Sequence, residues 1–333
     1  MFFRFIIGNN TGTLLILPVN FNAVKVHYGY NDLKFRNPVV TTGIFDGVHR
    51  GHRVVIEQIK KRAAELKGET VVVTFHPHPR QVLNQNSQAI QLLTGIEEKI
   101  SLIEKCGIDH VVLINFDRDL SLMSAADFFE KILCGKIGTK HFVAGFSHHF
   151  GRMAEGDKET IRSIADNYGI SYEVLEPVKI GGIIVSSSAV REALLTGRIE
   201  EANNLLGYDY FMNGTIIEGR KLGRKIGFPT ANIKPDYPDK LIPGNGVYAV
   251  EIYLKDKKYY GVMSIGYNPT VNRDQNIKSV EVNIFDFEGN IYGEKVCAVF
   301  RYRIRDEMVF DTISELSHRI ELDRQEALRL LKK

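Results

Sequence analysis

Two histidines three residues apart, His49 and His52 of TTGIFDGVHRGH (41–52), bracket Arg50-Gly51 directly after an apolar run and a glycine-rich turn. A lone histidine there reads as a solvated loop residue. A pair at this spacing can donate hydrogen bonds to the oxygens of one phosphate as charge builds in a transition state. Gly43, Gly47 and Gly51 would let the backbone approach a nucleotide closely. A second stretch, VSSSAVREAL (185–194), places Ser186, Ser187 and Ser188 where N-cap residues open a helix, with Arg191 in its first turn. A helix N-terminus offers backbone N–H groups to phosphate. Read blandly, the serines only cap and Arg191 is a solvated charge.

His-x-Gly-His by itself is shared by class I aminoacyl-tRNA synthetases and small nucleotidyltransferases, both of which activate the α-phosphate of ATP. A synthetase would add a lysine-rich KMSKS-like loop and an anticodon-binding domain, and the sequence shows neither.

The elements that must position these residues change period along the chain. Up to about residue 206, short β-branched runs alternate with helix-period segments. Val39 to Thr42 reads as a strand. His52 to Leu66 reads as a helix with Val55, Ile59, Ala63 and Leu66 on one face and Gly68 beyond its end. TVVVTF (70–75) is the fully apolar strand of a parallel sheet. Thr94 caps a helix carrying Ile96, Ile100 and Ile103. HVVLINF (110–116), a helix opening at Ser124, HFVAGF (141–146), a helix over 157–168 and a strand over 171–175 complete a βαβ order. The expected fold is an α/β doubly wound parallel sheet. It places His49 and His52 at the carboxyl end of the first strand, where such folds bind ligands.

From residue 207, FMNGTIIEG, GVYAVEIYL, KYYGVMSI, SVEVNIFDF and KVCAVFRYRI read as strands separated by turns such as Lys255-Asp256-Lys257. Only Thr312 to Leu331 returns to helix spacing, so a small antiparallel β-barrel with a C-terminal helix is expected. The organisation is a poorly structured leader over 1–21, a nucleotidyltransferase-like domain over 22–206 and a barrel domain over 207–333, joined at the short helix 199–206.

A chain of 333 residues accommodates two such cores. The net charge of +3 is spread along it, which makes no case for nucleic acid. No run approaches the ~18 apolar residues of a membrane helix. Cys106, Cys134 and Cys297 are too few and too far apart for a disulfide framework or a CxxC site, so the cytoplasm is the expected compartment.

Taken together, GIFDGVHRGH, TFHPHPR (74–80), QLLTGIEEKI (91–100), GFSHHFGRMAEGD (145–157) and VSSSAVREAL resemble the adenylyltransferase module of bacterial bifunctional riboflavin kinase/FAD synthetases. GRKLGRKIGFPTANI (219–233), PGNGVY (243–248), IGYNPTV (265–271), VEVNIFDFEGNIYG (280–293) and IRDEMVF (304–310) resemble the kinase module, in family order. The resemblance implies phosphorylation of riboflavin to FMN by ATP, then adenylyl transfer from ATP to FMN, giving FAD and pyrophosphate.

Carried over residue by residue, it implies that His49 and His52 stabilise the α-phosphate, with Ser187, Ser188 and Arg191 on the other ATP phosphates. Gly43, Phe45, Asp46 and Gly51 would line that ATP site, and the Phe75, Pro77 and His78 loop would flank the flavin. Ser147 stands where the family carries Asn or Asp, which implies a weaker adenylyltransferase. In the kinase module Gly219, Lys221, Gly223, Lys225 and Gly227 would form a loop over ATP. Thr230 and Asn232 would hold Mg²⁺ and the ATP phosphates, a pairing suited to hard oxygen ligands. Glu281 would be the general base and Arg305, Asp306 and Glu307 a flavin-side loop.

Spacing alone reads Glu281, between Val280 and Val282, as a solvated strand residue, and Thr230 and Asn232 as a turn after Pro229. The partners implied are small molecules only, with no nucleic acid or membrane. The oligomeric state stays open, weak self-association included. The alternatives are a riboflavin kinase with a weak or inactive first module, and a flavin-nucleotide-binding regulator without turnover.

Overall fold

The computed structural model describes residues 23–83, 90–146, 158–219, 227–267 and 278–333. The expected leader, Ser147 and the loop residues Lys221, Gly223 and Lys225 lie outside them. The chain divides into two compact units, Met1–Ser186 and Ser187–Lys333. The sequence places the join some twenty residues later, after the helix at 199–206.

In the first unit β1 (Lys25–Tyr28) and β2 (Val39–Thr42) lead into α1 (Arg50–Leu66), and β3 (Thr70–His76) into α2 (Pro79–Leu83) and α3 (Ile96–Lys105). β4 (His110–Asn115) is followed by α4 (Arg118–Leu122), α5 (Ala125–Asp127) and a π-helical segment, Phe128–Cys134. β5 (His141–Ala144), α6 (Lys158–Asn167), β6 (Ser171–Val174) and the hairpin β7 (Lys179–Ile180) and β8 (Ile183–Ile184) complete it. Six strands form one sheet in the order β1-β4-β3-β2-β5-β6, every pair parallel. The expected doubly wound sheet is thus present.

From β2 the chain winds one way through β3 to β4, then returns to the other side of β2 for β5 and β6. The reversal puts a topological switch point beside β2, and the crevice at its carboxyl end is where such sheets receive ligands. The strands flanking it are buried on both faces. β2 is buried throughout and β3 over its first six residues.

Helix α1 starts two residues before the position expected from periodicity, because His49 is its N-cap and accepts from the His52 backbone N–H at 3.3 Å. It buries Val55, Ile56, Ile59 and Ala63, while Leu66 is left exposed. Helix α3 is capped by Gly95 with Glu98 rather than by Thr94, whose side chain is engaged elsewhere.

The second unit opens with α7 (Ser187–Leu195) and α8 (Ile199–Leu206). Strands β9 (Phe211–Ile217), β10 (Ala231–Pro235), β11 (Gly246–Leu254), β12 (Lys257–Tyr267), β13 (Lys278–Ile284) and β14 (Lys295–Arg305) close a barrel in the order β10-β13-β12-β11-β14-β9. Helix α9 (Ile313–Leu331), capped by Thr312, packs on it through Ala327 against Ala249 and Phe285. β10 adds a sixth strand to the five that the sequence alternation shows. It pairs antiparallel with β9 and β13, and its pairings with those two strands close the ring.

Candidate active sites

Between β2 and α1 the backbone makes an unusual turn. Phe45, Gly47 and Val48 all have positive φ, 52°, 83° and 38°. For a phenylalanine and a β-branched valine this is strained, and such strain persists only where the surroundings hold it. Asp46, 2% exposed, is the fastener. Its carboxylate accepts from the backbone N–H groups of Leu93 (3.1 Å) and Thr94 (3.0 Å) and from the Thr94 hydroxyl (3.2 Å). Thr94 Oγ1 accepts in turn from Gly47 N at 3.1 Å. The turn is thereby riveted to the entry of α3. The sequence-predicted ATP residue Asp46 holds the loop through its carboxylate.

The strained turn delivers two imidazoles to one place. The rings of His49 and His52 stack with centroids 3.6 Å apart and 14° between planes, and Phe45 packs 4.9 Å from His52. Because His49 Nδ1 accepts a backbone N–H, a neutral His49 carries its proton on Nε2. His52 Nδ1 is buried and meets no hydrogen-bond partner among the described residues. Burial, then the charges of His49 and Lys99, holds the His52 pKa well below 6.5, so this ring is neutral at pH 7. Gly51 lies between them, and a Cβ there would press on the His49 ring at 3.2 Å.

Lys99 is a residue that sequence reasoning missed. A lysine in the first turns of a helix reads as solvated, yet Lys99 is 6% exposed. Burial lowers its pKa to about 8, against the opposing pull of Asp46. The same charge depresses His76 at the end of β3, after burial. Phe75 turns into the core, 5.9 Å from Phe116 and Phe128, while Pro77 and His78 are half-buried. Across the division of the chain, α7 carries Ser187 and Arg191 half-buried and Ser188 exposed.

The second unit holds a cavity of about 320 Å³. Thr230, Ser264, Glu281 and Asn283 form a polar wall. Val262, Phe285, Met308, Phe310, Leu316 and Ile320 form an apolar one. Val280 and Val282 point into the barrel, so Glu281 and Asn283 point out of it, as the alternation requires. What encloses them is α9, which supplies Leu316 and Ile320. Glu281 is therefore half-buried in a cavity rather than solvated on a strand.

Asn232 on β10 is the register partner of Glu281 on β13. Ser279 Oγ joins them, 3.0 Å from Glu281 Oε1 and 3.4 Å from Asn232 Oδ1. Gly219 lies against this side chain, and a Cβ there would displace the Asn232 amide. Asn283 Nδ2 donates to Pro229 O at 2.7 Å, holding the segment that carries Thr230. The hydroxyl of Thr230 and the amide oxygen of Asn232 are hard oxygen donors of the kind a divalent cation shared with phosphates takes. Among the described residues no group of three His, Cys, Asp or Glu forms a metal cluster.

Arg305 and Glu307 line the same cavity. Glu307 accepts from Asn245 Nδ2 at 2.9 Å, and exposed Asp306 accepts from Arg303 at 2.6 Å. Asp323, unmarked in the sequence reading, lines the cavity from α9.

Residues 32–189 match the family model described as FAD synthetase, and residues 206–331 the one described as riboflavin kinase. A Bacillus subtilis (strain 168) protein named bifunctional riboflavin kinase/FMN adenylyltransferase is 39% identical over 293 residues, spanning 87% of this chain and 92% of its own. The chain belongs to that family. A Listeria monocytogenes relative of the same name is 38% identical over 290 residues, with 87% and 91% covered. The bifunctional riboflavin kinase/FMN adenylyltransferase fold also recurs in a crystal structure titled macrolide-efflux protein from Streptococcus pneumoniae. It matches with a TM-score of 0.83 at 29% identity, over 91% of this chain and 99% of that one. Among the described residues here no helix is long and apolar enough to cross a membrane. Both an FAD synthetase and a riboflavin kinase domain are present, so the reading as a bifunctional enzyme holds over that of a kinase with a lapsed first module.

Proposed function

We propose that this enzyme converts riboflavin to FMN in the barrel cavity and FMN to FAD at the histidine pair, with MgATP as co-substrate of both steps. The observation that carries the reading is the cavity that unites Thr230, Ser264, Glu281 and Asn283 with an apolar wall fit for a flat heteroaromatic ring.

In the kinase step Glu281 accepts the proton of the ribityl 5′-hydroxyl as its oxygen attacks the γ-phosphorus, and ADP leaves. Thr230 and Asn232 hold the phosphates and the Mg²⁺, which when bound neutralises charge on them. Gly219, Lys221, Gly223, Lys225 and Gly227 belong to the loop over ATP, and Arg305, Asp306 and Glu307 to the flavin side. In the second step a phosphate oxygen of FMN attacks the α-phosphorus of ATP, and the P–O bond to pyrophosphate breaks. His49 and His52 donate to the α-phosphate oxygens as charge develops. Gly43, Phe45, Asp46 and Gly51 shape the nucleotide loop. Ser187, Ser188 and Arg191 serve the leaving pyrophosphate, and Pro77, His78 and Ser147 the flavin. Phe75 supports that loop from the core. No covalent enzyme intermediate is needed, since the attacking group comes with the substrate.

The functional division we adopt is 22–206 and 207–333. The enzyme works in the cytoplasm on small molecules, without nucleic acid or membrane. Purified protein given riboflavin and MgATP, with the flavins separated by chromatography, tests the two activities. FMN should appear first and FAD after it; riboflavin recovered unchanged would refute the reading.

A further inference from the structure

The lining of this cavity includes a carboxylate with no part in the chemistry above. Asp323, on the helix α9, is 2% exposed. It accepts from Arg305 Nε at 3.0 Å through each oxygen and from Arg305 Nη2 at 2.7 Å. A second arginine, Arg319, donates to the same carboxylate from one turn earlier, also at 3.0 Å. The Arg305 side chain is 14% exposed, so both partners of the main pair are withdrawn from water.

A guanidinium has five N–H donors in one plane. Asp323 engages Nε and one N–H of Nη2, and Asp306 O takes one N–H of Nη1 at 2.8 Å. The remaining two keep a fixed direction only while the plane is held by the bidentate pair. Arg305 is also the last residue of β14, and the segment that follows it carries Met308 and Phe310 into the cavity lining. Its guanidinium lies 5.9 Å from the centroid of the Phe310 ring. One buried carboxylate on α9 therefore sets the attitude of Arg305 and, through it, of the segment at 306–310.

We propose that Asp323 is a positioning residue for the flavin: it aims Arg305 and seats the 306–310 segment against the apolar end of the cavity. The proposal rests on the reading of that cavity as the riboflavin site. A carboxylate is required because the central partner of two arginines must accept on every side, and an amide would turn a donor toward one of them.

The test uses full-length enzyme with Asp323→Asn, Arg305→Lys and Arg319→Ala. The riboflavin Kd comes from quenching of flavin fluorescence, and kinase steady-state kinetics and thermal melts accompany it. Asp323→Asn should raise the riboflavin Kd and KM about tenfold, the loss of one well-placed hydrogen-bonding contact. The KM for MgATP, kcat and the conversion of supplied FMN to FAD should stay within about twofold of wild type. Arg319→Ala, which leaves the Arg305 pair intact, should bind riboflavin as wild type does. Should Asp323→Asn fail to fold, Arg305→Lys carries the test, because it keeps the charge and loses the planar fork. It too should weaken riboflavin binding selectively. An unchanged riboflavin Kd in the folded variant overturns the proposal. So does a uniform decline of every parameter with the melting temperature, which marks a merely structural pair. A wild type that forms no FMN and does not quench riboflavin instead sinks the reading of the cavity itself.

Discussion

His49 and His52 stack ring on ring, 3.6 Å between centroids, with the backbone N–H of the second donating to Nδ1 of the first. The cap of α1 thus fixes the tautomer of one imidazole while burial keeps the other neutral. Both rings are preorganised before any nucleotide arrives. Replacing either by Ala should lower FMN-to-FAD conversion by about 10²–10³-fold, the usual effect of removing one oriented donor to a developing charge. Riboflavin phosphorylation by the same preparations should be unaltered, and initial rates of the two steps measured separately decide it.

Glu281→Gln keeps the shape of the polar wall but removes the proton acceptor. FMN formation should fall by about 10²–10⁴-fold. FMN-to-FAD conversion should remain near wild type. Loss of both activities in a folded variant would contradict the assignment of the two steps to separate sites.

Lys99 is held near pKa 8 in the folded chain against an ordinary 10.5, chiefly by burial. Below about pH 8 both folded and unfolded forms carry the proton, and the full cost of the buried charge is present. Between there and 10.5 the unfolded chain binds the proton more strongly, so stability rises with pH until the cost is gone. Lys99→Met should therefore stabilise the protein at pH 7 by about 1–3 kcal/mol, a gain that fades as pH climbs toward 10.5. Denaturant titrations at several pH values read this directly. The same variant removes a charge that, after burial and alongside His49, depresses His52. The His52 ring should accordingly titrate at higher pH in this variant than in wild type, which NMR of its imidazole protons reads.

The position of the domain join can be tested by truncation. α8 is welded to the barrel: Asn203 Nδ2 donates to Phe300 O at 2.9 Å, and Tyr210 N to Asn203 Oδ1 at 2.8 Å. Gly244 N reaches back to Leu194 O on α7 at 2.9 Å. A fragment 187–333 should melt higher than a fragment 207–333, which leaves those partners unsatisfied. Equal melting temperatures would place the structural join where the change of sequence period does.

Much of this molecule is written in local pattern. β2, β3 and β11 were visible because runs such as VVVTF and GVYAVEIYL permit little else. The histidine pair was visible because its spacing, glycines and place after a strand point to one chemistry. The strand β10 shows no such run, since Ala231–Pro235 mixes Asn, Lys and Pro with two apolar residues and becomes a strand where β9 and β13 offer hydrogen bonds on both sides. Local pattern makes Thr94 a helix cap, whereas its partner in the fold, Asp46, is 48 residues away.

The sequence by itself determined the two fold classes, the order of the elements and the types of residue available for phosphate chemistry. These follow from period, turn residues and motif spacing, which act over a few residues at a time. Tertiary structure alone decided where that chemistry is sheltered. The order β1-β4-β3-β2-β5-β6 sets the crevice beside β2, a choice made by crossover connections rather than by any strand's own residues. Glu281 lies on the outer face of the barrel, which alternation reads as solvent, and it becomes enclosed only because α9 folds back across it. Lys99 and Asp323 carry charges that local sequence assigns to water. Lys99 is set against Asp46 from the β2–α1 turn, and Asp323 is paired with Arg305 of β14 as well as with its helix neighbour Arg319, so the burial of both goes with elements outside their own helices.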